Sequence, residues 1–239
     1  PPASLFWVSQ ALSLTVVDNQ PEQALDILDQ VGALTPLLDK PRAEALTLLG
    51  RLDEASEAYT RAAAPFGEAQ QNVWLGRLDL LAGDRDRGCA RLSKAVALQP
   101  WRTSDILRLD DILQGRDQET APIPGSVALC LYTCNKAREL AATLESLAGC
   151  DLEDAALYVL DNGSTDDTPR VLDAFQGRFG DRMTRVDLPV NVGAAAARNW
   201  LASLEAVADS DWIGFLDDDI HLPQNFLGKI GAAIRRFPG

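Results

Sequence analysis

The sequence predicts two domains of different class: an all-α helical repeat over residues 1–118 and an α/β unit with a mostly parallel sheet over 126–239. Three observations predict it. A small–large–small triplet recurs about every 33 residues in the first half. Apolar runs of strand length alternate with helical segments in the second half. Between them lies GRDQETAPIPG, 115–125, rich in Gly, Pro and charge, with the linker proper at 119–125.

In the first half, Ala55, Tyr59 and Ala62 align with Gly88, Leu92 and Ala95, and with an earlier copy at Ala24, Leu28 and Val31. Positions i, i+4 and i+7 share one helix face, so small residues there let neighbouring helices approach closely. The spacing predicts three degenerate helix–turn–helix units near 3–31, 36–66 and 69–99, then a capping helix at 103–113. With Trp74 in a leading helix and Pro100 after the last unit, the pattern resembles tetratricopeptide (TPR) repeats. Stacked repeats of that kind leave a concave surface, which is expected to bind a protein partner.

In the second half, 127–132 reads as a buried strand, followed by a helix over 136–148. A strand over 155–160 runs into DNGSTDDT, where Ser164 or Thr165 is the expected N-cap of a helix to Phe179. Strand 183–188, helix 194–208, strand 211–216 and a last helix over 226–237 complete the alternation. Such an order implies crossover connections and a parallel sheet, whose ligands bind outside the carboxyl ends of the strands. The polar clusters fall at those ends: Thr133-Cys134-Asn135, Asp161-Asn162, Asn191 to Gly193, and Asp217-Asp218-Asp219. Three adjacent carboxylates repel one another and call for a cation.

Composition narrows the function. A net charge of −13 argues against nucleic-acid or anionic-membrane binding. No apolar run approaches the roughly 20 residues that span a bilayer. Cys89, Cys130, Cys134 and Cys150 form no C-x-x-C pair, and a single His is too few for a structural zinc site, so free thiols in a reducing cytoplasm are expected. The acidic stretches lack the glycine spacing of an EF-hand, and no Walker loop or G-x-G-x-x-G is present.

Four motifs, in order, resemble family 2 glycosyltransferases of the GT-A fold. Tyr132-Thr133-Cys134-Asn135-Lys136 stands where the family has P-T-Y-N-R, and Leu160-Asp161-Asn162-Gly163-Ser164-Thr165-Asp166 where it has V-D-D-G-S-T-D. The run from Asn191 to Asn199 matches N-x-G-x-x-x-A-R-N in full, and Asp217-Asp218-Asp219 corresponds to the D-x-D element. Tyr132 and Cys134 depart from the family's Pro and Tyr.

The resemblance implies metal-dependent, inverting sugar transfer from a nucleotide-sugar donor to an acceptor. It implies that Asp219 ligates a divalent metal, Mn2+ or Mg2+. Asp217 would face the ribose or sugar, or the metal through water, and Asp218 would support the loop. Asp161 would accept from the base or ribose, with Thr133 and Cys134 lining the same pocket. Asn135 belongs to the same donor-binding set, and Asn162 either joins it or caps the following helix. Arg198 would pair with the diphosphate or with Asp217, while Asn191 and Gly193 shape their turn. Lys136 is expected as a solvated first-turn residue, and His221 as a packing or hydrogen-bonding one. The family's general base lies well beyond the D-x-D element, so this chain is expected to be the truncated donor half of a longer enzyme, without acceptor half or base. The rival class is a non-catalytic interaction protein whose repeats carry the function and whose nucleotide-binding half is vestigial.

Overall fold

The computed structural model describes residues 5–17, 20–31 and 36–237. The expected first repeat unit, 3–31, therefore falls partly outside the described residues. The chain divides into two compact units, Pro1–Asp117 and Gln118–Gly239.

The first unit is helical. Its helices are α1 (Leu5–Val17), α2 (Pro21–Gln30), α3 (Pro36–Leu48), α4 (Leu52–Ala63), α5 (Glu68–Leu81), α6 (Arg85–Leu98) and α7 (Thr103–Leu113). Each packs mainly on its chain neighbours, most extensively α3 on α4 and α5 on α6. The triplet positions point inward: Ala24, Leu28, Ala55, Ala62, Gly88, Leu92 and Ala95 are buried, and Val31 and Tyr59 are half-buried against the same core. Gly88 shows why small residues recur there, since a Cβ at that position would lie 2.6 Å from Leu80 Cγ of the facing helix. Buried carboxylates tie the helices together. Asp79 of α5 meets Arg87 and Arg91 of α6, and Asp105 of α7 accepts from Arg77 of α5 at 2.9 Å and from Arg102 at 2.7 Å.

The second unit is a three-layer α/β structure. Its strands are β1 (Val127–Thr133), β2 (Ala156–Asn162), β3 (Met183–Leu188) and β4 (Trp212–Leu216). They form one sheet in the order β3-β2-β1-β4, with every pairing parallel. Between and after them lie α8 (Ala137–Ala148), α9 (Thr168–Phe179), α10 (Ala194–Ala202), α11 (Glu205–Ala208) and α12 (Phe226–Arg236). Strand alternation sorts the core into two layers. Leu129, Leu131, Leu157 and Val159 face Leu140, Leu144 and Leu147 of α8, Leu172 of α9 and Phe226 of α12. Ala128, Cys130, Tyr158 and Leu160 face Ala197 and Leu201 of α10 and Val207 of α11. Cys130 is fully buried, and that burial pushes its thiol pKa up to about 11.

Three elements differ from the sequence reading. The helix expected from Ser164 or Thr165 starts at Thr168, because the Ser164 hydroxyl that would cap it accepts from the Asn135 N–H instead, and the Thr165 N–H donates to Asn135 Oδ1. The single helix expected over 194–208 breaks at Leu204, which is extended at φ −64°, ψ 130°. An apolar run such as 212–216 suits a buried strand, yet the strand ending in the aspartates is an edge strand. It pairs with β1 alone, and Trp212, Ile213 and Phe215 stay about two-fifths exposed. Residues 119–125, read as linker, lie against the second unit: Ala121 and Ile123 are buried, and the Ala121 N–H donates to Gly228 O at 2.9 Å.

That contact requires glycine. A Cβ on Gly231 would lie 2.0 Å from Ala121 O, backbone against backbone. Gly231→Ala is therefore expected to destabilise the protein by on the order of 1–3 kcal/mol, measured as a lowered urea midpoint. Gly177→Ala on α9, where nothing lies within 4 Å, is the control and is expected to stabilise slightly.

Candidate functional site

All four strands run the same way, so their carboxyl ends share one edge, and the loops leaving it are stitched together by side chains. Thr133 and Asp161 are register partners at the ends of β1 and β2 and are fully and almost fully buried. Asp161 Oδ1 accepts from the Ser164 N–H at 2.9 Å. Thr133 Oγ1 is buried without a hydrogen-bond partner. An orphaned hydroxyl beside a buried carboxylate is costly in a core but suits a site that receives a polar ligand.

Asn135 fastens the β1 loop to the β2 loop. Its N–H donates to Ser164 Oγ at 2.9 Å, and its Oδ1 accepts from the Thr165 N–H at 2.7 Å. The geometry needs φ +54° at Asn135, a left-handed conformation that Asn tolerates better than most residues. Asp166 adds a second stitch by accepting from the Ala137 N–H at 3.1 Å.

On the other face, Asn162 fastens β2 to the loop before α10. Its Oδ1 accepts from the Val192 N–H at 2.9 Å, and its Nδ2 donates to Asn191 Oδ1 at 3.0 Å. Asn191 Oδ1 also accepts from the Gly193 N–H at 2.8 Å, and Asn191 Nδ2 donates to Cys134 Sγ at 3.2 Å. The two backbone donors orient both amides, leaving Asn162 Nδ2 to face an oxygen. Gly163 permits the close approach: at φ +73°, a Cβ would lie 2.5 Å from the Val190 carbonyl carbon.

The charge of the acid triplet is partly offset by two cations from different elements. Arg198 of α10 donates to Asp217 Oδ1 at 3.1 Å, with its guanidinium over the rings of Tyr132 at 5.5 Å and Phe215 at 5.9 Å. Lys136, expected as a solvated residue, donates to Asp219 Oδ2 at 2.9 Å and to Asp218 Oδ1 at 3.1 Å. The bond to Asp219, aided by Asp218, raises the Lys136 pKa above its ordinary value. Thr143 of α8 donates to Asp218 O at 2.9 Å and accepts from the Ile220 N–H, and Ser146 accepts from the Leu222 N–H. These bonds hold the loop that carries the acids.

The structure thus brings Thr133, Asn135 and Asp161 together on one side of the edge, and Cys134, Asn162, Asn191 and Gly193 on the other. Asp217 sits on Arg198, while Asp218 and Asp219 converge on Lys136. His221 is exposed. Among the described residues, no three His, Cys, Asp or Glu side chains gather into a metal cage. The hard carboxylate oxygens nonetheless suit Mg2+ or Mn2+, which such sites hold through one or two carboxylates plus substrate phosphates. The sequence reading missed Lys136, Thr143, Ser146 and Asp166. For Lys136, the signal was its place one residue after Thr133-Cys134-Asn135, at the same edge as the acids.

Residues 127–238 match the family described as Glycosyl transferase family 2. The family resemblance read from the motifs therefore stands for the second unit. Over 116 residues the chain is 36% identical to the succinoglycan biosynthesis protein ExoU of Rhizobium meliloti (strain 1021), a stretch covering 48% of this chain and 31% of ExoU. The chain thus spans about a third of the length of that relative. Among solved structures, S. aureus TarS 1–349 in complex with UDP-GlcNAc is 22% identical with a TM-score of 0.40, covering 46% of this chain and 31% of that one. The mannosyltransferase PcManGT from Pyrobaculum calidifontis, in complex with GDP-Man and Mn2+, is 20% identical with a TM-score of 0.42, covering 77% of this chain and 44% of its own.

The amide relay makes one substitution diagnostic. Asn162→Asp, which restores the family's more usual residue, loses the donor facing Asn191 Oδ1 and sets a carboxylate against it. A loss of about 1–3 kcal/mol in stability at neutral pH is expected from urea unfolding. A change below about 0.5 kcal/mol would show that the relay is not holding the two loops.

Proposed function

We propose that the second unit is the donor-binding part of a metal-dependent, inverting glycosyltransferase that takes its sugar from a nucleotide-diphosphate-sugar. One observation carries the reading. The loops at the carboxyl edge of the sheet meet around Thr133 and Asp161, a buried hydroxyl without a partner beside a buried carboxylate. The site thus offers both an acceptor and an unspent hydroxyl, the pairing needed to recognise a base or ribose.

In this reading Asp161 accepts from the nucleoside, and Thr133 and Cys134 line its pocket. Asn135 holds that pocket in shape, while Asn162, Asn191 and Gly193 set the turn that leads into α10. Arg198 brings positive charge to the side where the diphosphate departs, held between Tyr132 and Phe215. Asp219 and Asp217 would hold Mn2+ or Mg2+, which when bound supplies Lewis-acid stabilisation of the leaving phosphate oxygens. Asp218, tied to α8 through its carbonyl and Thr143, supports the loop. The helical unit is assigned a TPR-like adaptor role toward a protein partner, supported by the buried triplet positions. The four free thiols suit a reducing cytoplasm, and among the described residues no helix is long and apolar enough to cross a membrane.

Titrating the whole chain with UDP, dTDP and GDP, with and without Mn2+, tests this reading. Metal-dependent binding of one nucleotide, lost in Asp219→Ala, is expected. No binding to any of the three would favour an interaction protein with a vestigial site.

Thr133→Val separates ligand recognition from folding. Because the hydroxyl has no partner in the protein, the variant is expected to melt at or above the wild-type temperature. Nucleotide affinity is expected to fall by about ten-fold, the worth of one hydrogen bond of ~1.4 kcal/mol. A stability loss with unchanged affinity would remove Thr133 from the pocket.

A further inference from the structure

The two cations that face the acid triplet are held differently. Arg198 is fixed by its ion pair and by the faces of Tyr132 and Phe215. Among the described residues, the Lys136 ammonium is bound only by the carboxylates of Asp218 and Asp219, at the end of a flexible side chain about as exposed as that of Arg198 but without aromatic faces against it. Its backbone, by contrast, is fixed as the N-cap of α8, where its carbonyl accepts the Leu140 N–H at 2.8 Å. Only side-chain torsions need change for the ammonium to leave, and those torsions are soft.

We propose that Lys136 is a built-in counter-ion of the acid loop, which a divalent cation must displace to reach Asp219. The inference rests on the metal reading of that loop and adds an exchange to it. Without a cation, Asp218 and Asp219 repel each other on a loop held by a few hydrogen bonds from α8. Lys136 relieves that repulsion and keeps the carboxylates in place. It also sets a threshold, because an arriving divalent ion and the ammonium compete for the same Asp219 oxygen. The ammonium stays protonated throughout; it exchanges one anionic neighbour for solvent or for the donor's phosphate.

The test is Mn2+ binding by the full chain, followed as loss of the free-ion signal in electron paramagnetic resonance. It compares wild type, Lys136→Met and Lys136→Arg. Removing one unit charge about 4 Å from a divalent ion in a water-like medium is expected to tighten Mn2+ binding by about thirty-fold in Lys136→Met. Lys136→Arg, which keeps the charge, is expected not to tighten it. Lys136→Met is also expected to melt below wild type without metal and to gain more from added Mn2+. If Lys136→Met proves poorly folded, Lys136→Gln takes its place in the same titration. Binding by the neutral variants no tighter than wild type, while Asp219→Asn still abolishes it, overturns the exchange and leaves the metal reading intact. No Mn2+ binding by any form overturns the metal reading and the exchange with it.

Discussion

Three carboxylates in a row leave the sheet at the end of β4, and their mutual repulsion has to be met by charge from elsewhere in the fold. Two cations meet it, one from each face of the sheet. Arg198 comes from α10, which packs on the layer of Ala128 and Cys130, and Lys136 from the start of α8, which packs on the layer of Leu129 and Leu131. The acid loop is thereby bonded to both helical layers. A parallel sheet makes this possible, because its crossovers return every chain direction to the same edge and put a helix start close to each strand end.

The rest of that edge is built from short polar side chains satisfying loop backbone. Asn135, Asp161, Asn162 and Asn191 each accept a backbone N–H from the same or a neighbouring loop. Loops that would otherwise be surface segments with unmet donors become a rigid rim. Thr133 is the exception. Its hydroxyl is buried and unpaired, as is that of Thr168 at the start of α9, and in the donor-site proposal it is the Thr133 hydroxyl that is left for a ligand.

Much of this was legible in the sequence, because parallel strands leave long apolar runs and their ends carry the polar residues. Strand order along the chain, the buried triplets of the helical unit, and the gathering of Thr133, Asp161, Asn191 and the acid triplet at one edge all follow from periodicity and placement. What could not be read was the assignment of hydrogen bonds. Ser164 and Thr165 have the composition of a helix cap, but Asn135, 29 residues earlier, claims the Ser164 hydroxyl and the Thr165 N–H. Lys136 looks like any first-turn lysine until the acid loop is folded beside it, 82 residues later. The edge position of β4 was hidden for a related reason. An apolar run shows that a strand is suited to burial, whereas pairing partners decide how much burial it receives.

The same bonds place control of the acids on α8 rather than on the strand that precedes them. β4 delivers the triplet to the edge, yet it pairs with β1 only as far as Leu216. Beyond that residue the path of the chain is held by Thr143 and Ser146, one turn apart on α8, which bond the backbone at 218, 220 and 222. Lys136 is the cap of the same helix. Helix, cap and acid loop therefore form one mechanical piece, in which the backbone is set by two hydroxyls and the charge of Asp218 and Asp219 is met by one ammonium. Those tasks fall to different groups, since the bonds from α8 that shape the backbone involve no carboxylate.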